Sequence, residues 1–160
     1  MQQRKHAFFS MAKTLFLLHL LFIIITIMML YFGRLSIIVP LIFVLALFLA
    51  GLHGCRTLDV GPLITLTAGY LSQLIGILSS FFVLTEGVWD FSIEPFEFIA
   101  QIWQTPLYPL YPILPRTSCF DFPLYFVVTI TASFVLPLIP ALGASLSRLF
   151  TGIRNKRNSV

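Results

Sequence analysis

The sequence predicts an all-α integral membrane protein whose four transmembrane helices form two antiparallel hairpins. Two observations predict this class. Of the 160 residues, 58% are hydrophobic and only 10% are charged, with a mean hydropathy of +0.97, whereas soluble domains carry about 25% charged residues. The apolar residues also form four long runs separated by short polar segments, instead of recurring at the period of an amphipathic core.

The four runs predict helices at residues 14–32, 35–52, 62–84 and 123–147. At about 1.5 Å per residue the first run is about 28 Å long, which matches the apolar thickness of a bilayer. Only Gly33 and Arg34 separate the first two runs, so we expect a tight hairpin there. Residues 1–13 and 148–160 are basic ends, and residues 85–122 form one long outer loop.

Lysine and arginine predict the orientation, because cytoplasmic segments of membrane proteins carry an excess of both. With the amino terminus inside, only Arg34 and Arg116 of the ten basic residues face outward. The inward set is Arg4, Lys5, Lys13, Arg56, Arg148, Arg154, Lys156 and Arg157. We therefore predict a multi-pass protein of the cell membrane with both termini in the cytoplasm. A Phe- and Ile-rich chain without an organelle signal favours a bacterial inner membrane.

The long outer loop contains two predicted segments. Pro95 suits the first turn of a short amphipathic helix. This helix either lies on the membrane surface with Trp103 at headgroup level or packs over the bundle as a cap. Its predicted polar face comprises Glu94, Glu97, Gln101 and Gln104. Prolines at every third position of residues 106–115 predict a polyproline II rod. This rod either closes the bundle as a strap or, with Trp103, docks an outer partner through Tyr108 and Tyr111.

Small residues predict how the third and fourth helices pack, because membrane helices associate where small side chains let backbones approach. The stripe on the third helix is Thr65, Gly69, Ser72, Gly76 and Ser79. The stripe on the fourth is Thr129, Ser133, Pro137, Ala141 and Ser145. We expect the two helices to pack together or against copies of themselves. Pro137 and Pro140 are expected to bend the fourth helix.

Polar residues inside the runs are few, and His19 and Gln73 are the two of interest. We expect His19 to lie near the membrane interface and Gln73 to act as a hydrogen-bond donor between helices. Asp, Glu, Lys and Arg are absent from the middle of every run, which disfavours a proton-coupled transporter.

The sequence contains no recognisable catalytic, cofactor or metal motif. The inner turn holds His53, Cys55 and Asp59, which is too few ligands for a typical metal site. The net charge of +4 does not predict nucleic-acid binding, because the basic residues lie at the ends of the runs and not along one face. The expected partners are the lipid bilayer and another membrane protein or a second copy of the chain.

A chain rich in packing surfaces and poor in chemistry favours function by association, as an accessory, assembly or regulatory subunit of a membrane system. We expect no enzymatic activity. One alternative is a homo-oligomeric transporter or channel, lined by the small polar stripe of the third helix and the bent fourth helix. A second alternative is an enzyme at the membrane interface that uses either the turn around His53 and Cys55 or the outer acids Glu86, Asp90 and Glu94.

Overall fold

The computed structural model describes the backbone of residues 2–85, 92–119 and 122–157, and the side chains of residues 4–85, 92–118 and 122–150. Three of the basic residues used above, Arg154, Lys156 and Arg157, have side chains outside these ranges. The described elements are α1 (Gln2–Met29), a first 3-10 segment (Leu30–Ile37), α2 (Ile38–Thr57), α3 (Pro62–Ser72), α4 (Leu74–Leu84), α5 (Glu94–Trp103), a second 3-10 segment (Thr105–Ile113), β1 (Ser118–Cys119), β2 (Phe122–Pro123), α6 (Leu124–Val135) and α7 (Leu138–Arg157).

The chain reverses direction at Gly33, which has a backbone conformation of φ 58° and ψ −120°. Glycine suits this position because a Cβ disfavours positive φ. After the reversal α1 and α2 run antiparallel. The rings of Phe22 and Phe43 are 5.1 Å apart, and a Cβ built on Gly54 would lie 2.7 Å from Met11 Sδ. The turn therefore falls where the sequence predicted it, although α1 begins at Gln2, well before the apolar run.

The sequence predicted one helix over the third apolar run, and the structure has two helices there that form a bent pair. α3 and α4 meet at 63°, and Gln73 between them has φ −95° and ψ 7°. Ser72 Oγ donates to the carbonyl of Gly69 at 2.7 Å, and Gly-Ser combinations are a common cause of helix bends. The helix predicted over residues 62–84 is therefore interrupted, and Gln73 lies at the break.

The fourth run is interrupted at Pro137, where proline was expected to bend it. After the break α7 packs on α2 in the most extensive helix contact of the described structure. A Cβ on Gly51 would collide with the carbonyl of Pro140, and a Cβ on Gly143 would collide with that of Phe48. Two glycines thus let the α2 and α7 backbones touch, a pairing that the sequence did not predict.

The outer connection also differs from its prediction. α5 occupies Glu94–Trp103 with Pro95 in its first turn, but the proline-rich segment is a 3-10 helix over Thr105–Ile113 and not a polyproline II rod. Both conformations repeat every three residues and both accept the φ of proline. The proline spacing therefore predicts the period of the segment but not its ψ angles. Packing selects the 3-10 conformation, in which Leu107 is buried against the core.

Most of the chain is helical, and its surface is apolar. By length and composition, Arg4–Thr57 and Leu124–Phe150 qualify to cross a membrane, and a third stretch qualifies if α3 and α4 form one bent span. Large side chains are exposed on these helices, with Leu63 72% and Met28 65% exposed. Such surfaces are expected in lipid and exceptional in water. The described residues therefore confirm a mostly helical fold with two or three helices apolar enough to span a membrane.

Candidate functional site

Polar side chains from four parts of the fold meet in the interior of the protein. They come from α1, from the break between α3 and α4, from the carboxyl end of α5, and from α6. The most deeply buried are His19, Ser80, Gln104, Thr129 and Ser133, all 0% exposed, with Gln73 at 3%. Buried polar groups in proteins are almost always hydrogen-bonded, so the pairing of these groups decides what the site can do.

His19 and Gln73 form a closed hydrogen-bond cycle with Trp103, hereafter the His19–Gln73–Trp103 cycle. Trp103 Nε1 donates to Gln73 Oε1 at 2.7 Å, and Gln73 Nε2 lies 2.9 Å from His19 Nδ1. His19 Nε2 lies 2.6 Å from the carbonyl oxygen of Trp103. Because a carbonyl only accepts, Nε2 carries the proton and Nδ1 accepts from the Gln73 amide. The imidazole is therefore neutral, and both of its nitrogens are paired.

Aromatic packing holds the cycle in place. The His19 and Trp103 rings stack with centroids 4.5 Å apart and an interplanar angle of 18°, while the edge of His19 meets Phe43 at 5.3 Å. Gly76 in α4 makes room for the indole, since a Cβ there would lie 2.5 Å from Trp103 Cδ1. The glycine is required here by the close approach of Trp103 and not by its backbone conformation.

A second polar chain leads from Gln104 to α6. Gln104 Nε2 donates to Ser133 Oγ at 3.0 Å, and Ser80 Oγ lies 3.2 Å from the same oxygen. Ser133 Oγ in turn donates to the carbonyl of Thr129 at 3.4 Å. Gln104 Oε1 accepts no hydrogen bond from the described side chains and is buried. Among the side chains of this hydrogen-bonded series, which runs from Gln104 through Ser133 to Thr129, Gln104 Oε1 is the one buried acceptor without a donor.

Tyr111 of the second 3-10 segment extends the chain toward the outer surface. Its hydroxyl lies 2.7 Å from Thr129 Oγ1, and Thr129 Oγ1 donates to the carbonyl of Tyr125 at 2.9 Å. Tyr111 is therefore the donor to Thr129. Burial raises the pKa of the Tyr111 phenol, so the group stays protonated near neutral pH and keeps this role.

Replacing Tyr111 with phenylalanine is expected to destabilise the protein by about 1 kcal/mol, the usual contribution of one neutral hydrogen bond. The matched control is Tyr108→Phe, since Tyr108 is 50% exposed and its loss of hydroxyl should leave stability unchanged. Thermal unfolding in detergent measures both. Equal melting temperatures for the two variants would contradict the assigned bond.

The structure changes several predicted roles. Trp103, predicted to lie at the membrane surface and to dock a partner, is only 5% exposed and belongs to the interior. His19, expected near the membrane interface, is enclosed by protein. Gln104, assigned to the polar outer face of α5, points inward instead, because the chain leaves helical geometry there with φ −88° and ψ 15°. Sequence spacing on α5 alone gave no signal for this turn.

The predicted packing residues lie mostly in the interior. A Cβ on Gly69 would be 3.1 Å from the carbonyl oxygen of Pro137, and one on Gly76 would be 3.2 Å from Ser133 Oγ. The third and fourth runs therefore touch at both glycines. The buried members of the two stripes are Thr65, Gly69, Ser72, Gly76, Ser79, Thr129, Ser133 and Pro137, while Ala141 and Ser145 are half-buried. Ser80, which the sequence analysis did not name, follows Ser79 of the third-run stripe directly.

No metal-binding arrangement is present among the described residues, because no three His, Cys, Asp or Glu side chains lie close together there. His53 and Asp59 of the inner turn are exposed and Cys55 is half-buried. No family model, characterised protein or solved structure matches the chain. The buried network and the surface are therefore the features from which function is inferred.

Proposed function

We propose that this protein is a small multipass membrane protein that acts by association, as an accessory, assembly or regulatory subunit of a membrane system. The His19–Gln73–Trp103 cycle is the observation that supports this best. Its three side chains and one carbonyl satisfy each other's hydrogen bonds, so they offer little to a substrate. Buried networks in which every hydrogen bond is made instead hold the surrounding helices in one arrangement. A protein that acts by binding another protein needs such a fixed arrangement.

A continuous apolar stripe on α1 supports the same proposal. Leu17, Leu21, Ile24 and Met28 recur at spacings of four, three and four, which places them on one helix face. Their exposures are 51%, 51%, 57% and 65%. We propose that this stripe, together with the lipid around it, receives a partner helix.

Native mass spectrometry of the tagged protein, extracted gently from its own membrane, tests the proposal. A co-purifying membrane protein of different sequence is expected. The double variant Leu21→Ala, Ile24→Ala should lose this partner, because it flattens the α1 stripe. The matched control is Leu41→Ala, Leu45→Ala on α2, whose residues are 65% and 54% exposed. A closed homo-oligomer with no second protein would overturn the proposal.

The proposed topology has four crossings with both termini in the cytoplasm of a bacterial cell. Arg4–Thr57 has 54 residues, about 81 Å of helix at 1.5 Å per residue, and the reversal at Gly33 divides it into two lengths that each match a bilayer. The bent pair α3–α4 supplies a third crossing and α6–α7 a fourth. Arg34 lies at one end of the α1–α2 hairpin, and Arg4, Lys5 and Arg56 lie at the other. The end with more basic residues is expected in the cytoplasm, which supports cytoplasmic termini.

Single cysteines test this topology. In a background with Cys55→Ser and Cys119→Ser, Arg34→Cys is expected to react with an impermeant maleimide on intact cells, while Arg56→Cys reacts only after lysis. Arg34 and Arg56 are both exposed in the structure, so burial does not explain a difference between them. Labelling of Arg56→Cys alone on intact cells would reverse the orientation.

A homo-oligomeric transporter or channel is the second candidate, and the break at Gln73 favours it. Broken membrane helices commonly lie at substrate sites. From Gln104 the polar chain continues through Ser133 and Thr129 to Tyr111, which lines an outer groove of about 460 Å³. Osmotic swelling of proteoliposomes in glycerol or urea tests this candidate. Swelling no faster than that of empty liposomes would remove it for these solutes.

A further inference from the structure

An open cavity of about 920 Å³ lies at the end of the bundle where α1 begins, α2 meets α3, and α7 passes. It is separate from the buried polar network described above. Its polar lining residues are Arg4, His6, Thr57, Asp59 and Arg148, and Gly61 also lines it. The two arginines, His6 and Asp59 are exposed, so the cavity is open to solvent or to lipid headgroups.

The fixed charges of the lining favour an anion. Arg4 and Arg148 contribute two positive charges and Asp59 one negative charge, which leaves one positive charge when His6 is neutral. Arg148 reaches across the cavity to the turn before α3, because a Cβ on Gly61 would lie 2.8 Å from Arg148 Nη2. The guanidinium is thus held against backbone, with its planar set of donors available for a phosphate.

The start of α3 adds backbone donors to the same cavity. Gly61 precedes the helix and Pro62 occupies its first turn, while the first intrahelical bond runs from the amide of Thr65 to the carbonyl of Gly61. The amides of Leu63 and Ile64 therefore have no partner within the helix, and both residues line the cavity. Helix amino termini favour anions through these amides and the helix dipole.

We propose that this cavity binds the phosphate of an anionic phospholipid headgroup, with Arg148 and Arg4 as its cationic ligands. Basic pockets between membrane helices at the cytoplasmic side suit such lipids. A free phosphate ion shares the recognition chemistry. The cavity, however, lies at the end of helices that expose large apolar side chains, such as Leu17 on α1 and Leu63 on α3, to which acyl chains could bind. Binding of a lipid here rests on the proposed orientation, with this end of the bundle in the cytoplasm, but not on the proposed association with a partner.

Native mass spectrometry and thermal unfolding of the purified full-length protein in detergent test the site. Phosphatidylglycerol is expected to remain bound and to raise the melting temperature, whereas zwitterionic phosphatidylcholine does so less. Inorganic phosphate at the same concentration should have little effect. An equal effect of inorganic phosphate would overturn the lipid as the source. Because purified protein is used, these results are independent of partner capture.

Four variants make the test specific. Arg148→Gln is expected to weaken phosphatidylglycerol binding about fivefold, the effect of about one surface cation. Gly61→Ala keeps every charge but displaces the Arg148 guanidinium, and should also weaken binding. Asp59→Asn should tighten it, and asparagine tolerates the positive φ of 49° at this position. Arg34→Gln, at the opposite end of the α1–α2 hairpin, is the control. Wild-type affinity in all three cavity variants would overturn the proposal.

Discussion

Gly51→Ala is expected to lower the melting temperature by about 6–12 °C, which corresponds to roughly 3 kcal/mol for a chain of this size. A Cβ at Gly51 collides with the backbone carbonyl of Pro140, and neither group can rotate away. α2 and α7 must therefore separate along their most extensive contact. Alanine is a better helix former than glycine by about 1 kcal/mol, so a loss of stability in spite of that gain identifies the collision as the cause.

Gly54→Ala is the matched control for this prediction, because it makes the same substitution one turn further along α2. A Cβ there meets Met11 Sδ at 2.7 Å, and a flexible thioether moves aside at little expense. We expect its melting temperature to stay within about 2 °C of the wild type. If both variants melt alike, the α2–α7 contact is looser than the structure shows. Thermal unfolding in one detergent measures both.

His19→Phe is expected to destabilise the protein by about 2–5 kcal/mol. Phenylalanine preserves an aromatic ring beside Trp103, but it leaves the Gln73 amide and the Trp103 carbonyl without their His19 partner. Each buried group that loses its partner costs about 1–3 kcal/mol. His53→Phe is the matched control, because His53 is exposed, and it should unfold like the wild type.

A double-mutant cycle separates the hydrogen bonds from general damage to the core. Gln73→Leu alone leaves His19 Nδ1 and Trp103 Nε1 unpaired, and the double variant with His19→Phe removes several of these orphaned groups at once. The combined loss should therefore fall short of the sum of the single losses by about 1–2 kcal/mol. Strict additivity would mean that His19 and Gln73 are not coupled.

The α2–α7 contact shows why helix pairing was only partly predictable. Stripes of small residues on the third and fourth runs indicated that these runs meet, and Gly69 and Gly76 do lie against Pro137 and Ser133. Gly51 and Gly143 carry the closer contact and form no comparable stripe. A small residue permits close approach but does not specify the partner, so one sequence leaves several pairings open.

The outer connection shows a different limit. Proline at every third position is compatible with both polyproline II and 3-10 geometry, because both have three residues per turn. The observed 3-10 helix buries Leu107 and places the Tyr111 hydroxyl on Thr129. Contacts with α1, α2 and α6 decide between conformations that the segment itself allows.

The sequence alone determined an apolar composition typical of membrane proteins, where the apolar runs lie, and where the chain turns at Gly33. These properties follow from the transfer free energy of each residue and from local backbone preference, which are written into short stretches of sequence. Only the tertiary structure decided the break at Gln73 and the burial of Trp103 and Gln104. Gln73 and Trp103 are hydrogen-bonded to His19, 54 and 84 positions away, and Gln104 is hydrogen-bonded to Ser133, 29 positions away. Directional pairing at such separations is a property of the folded chain.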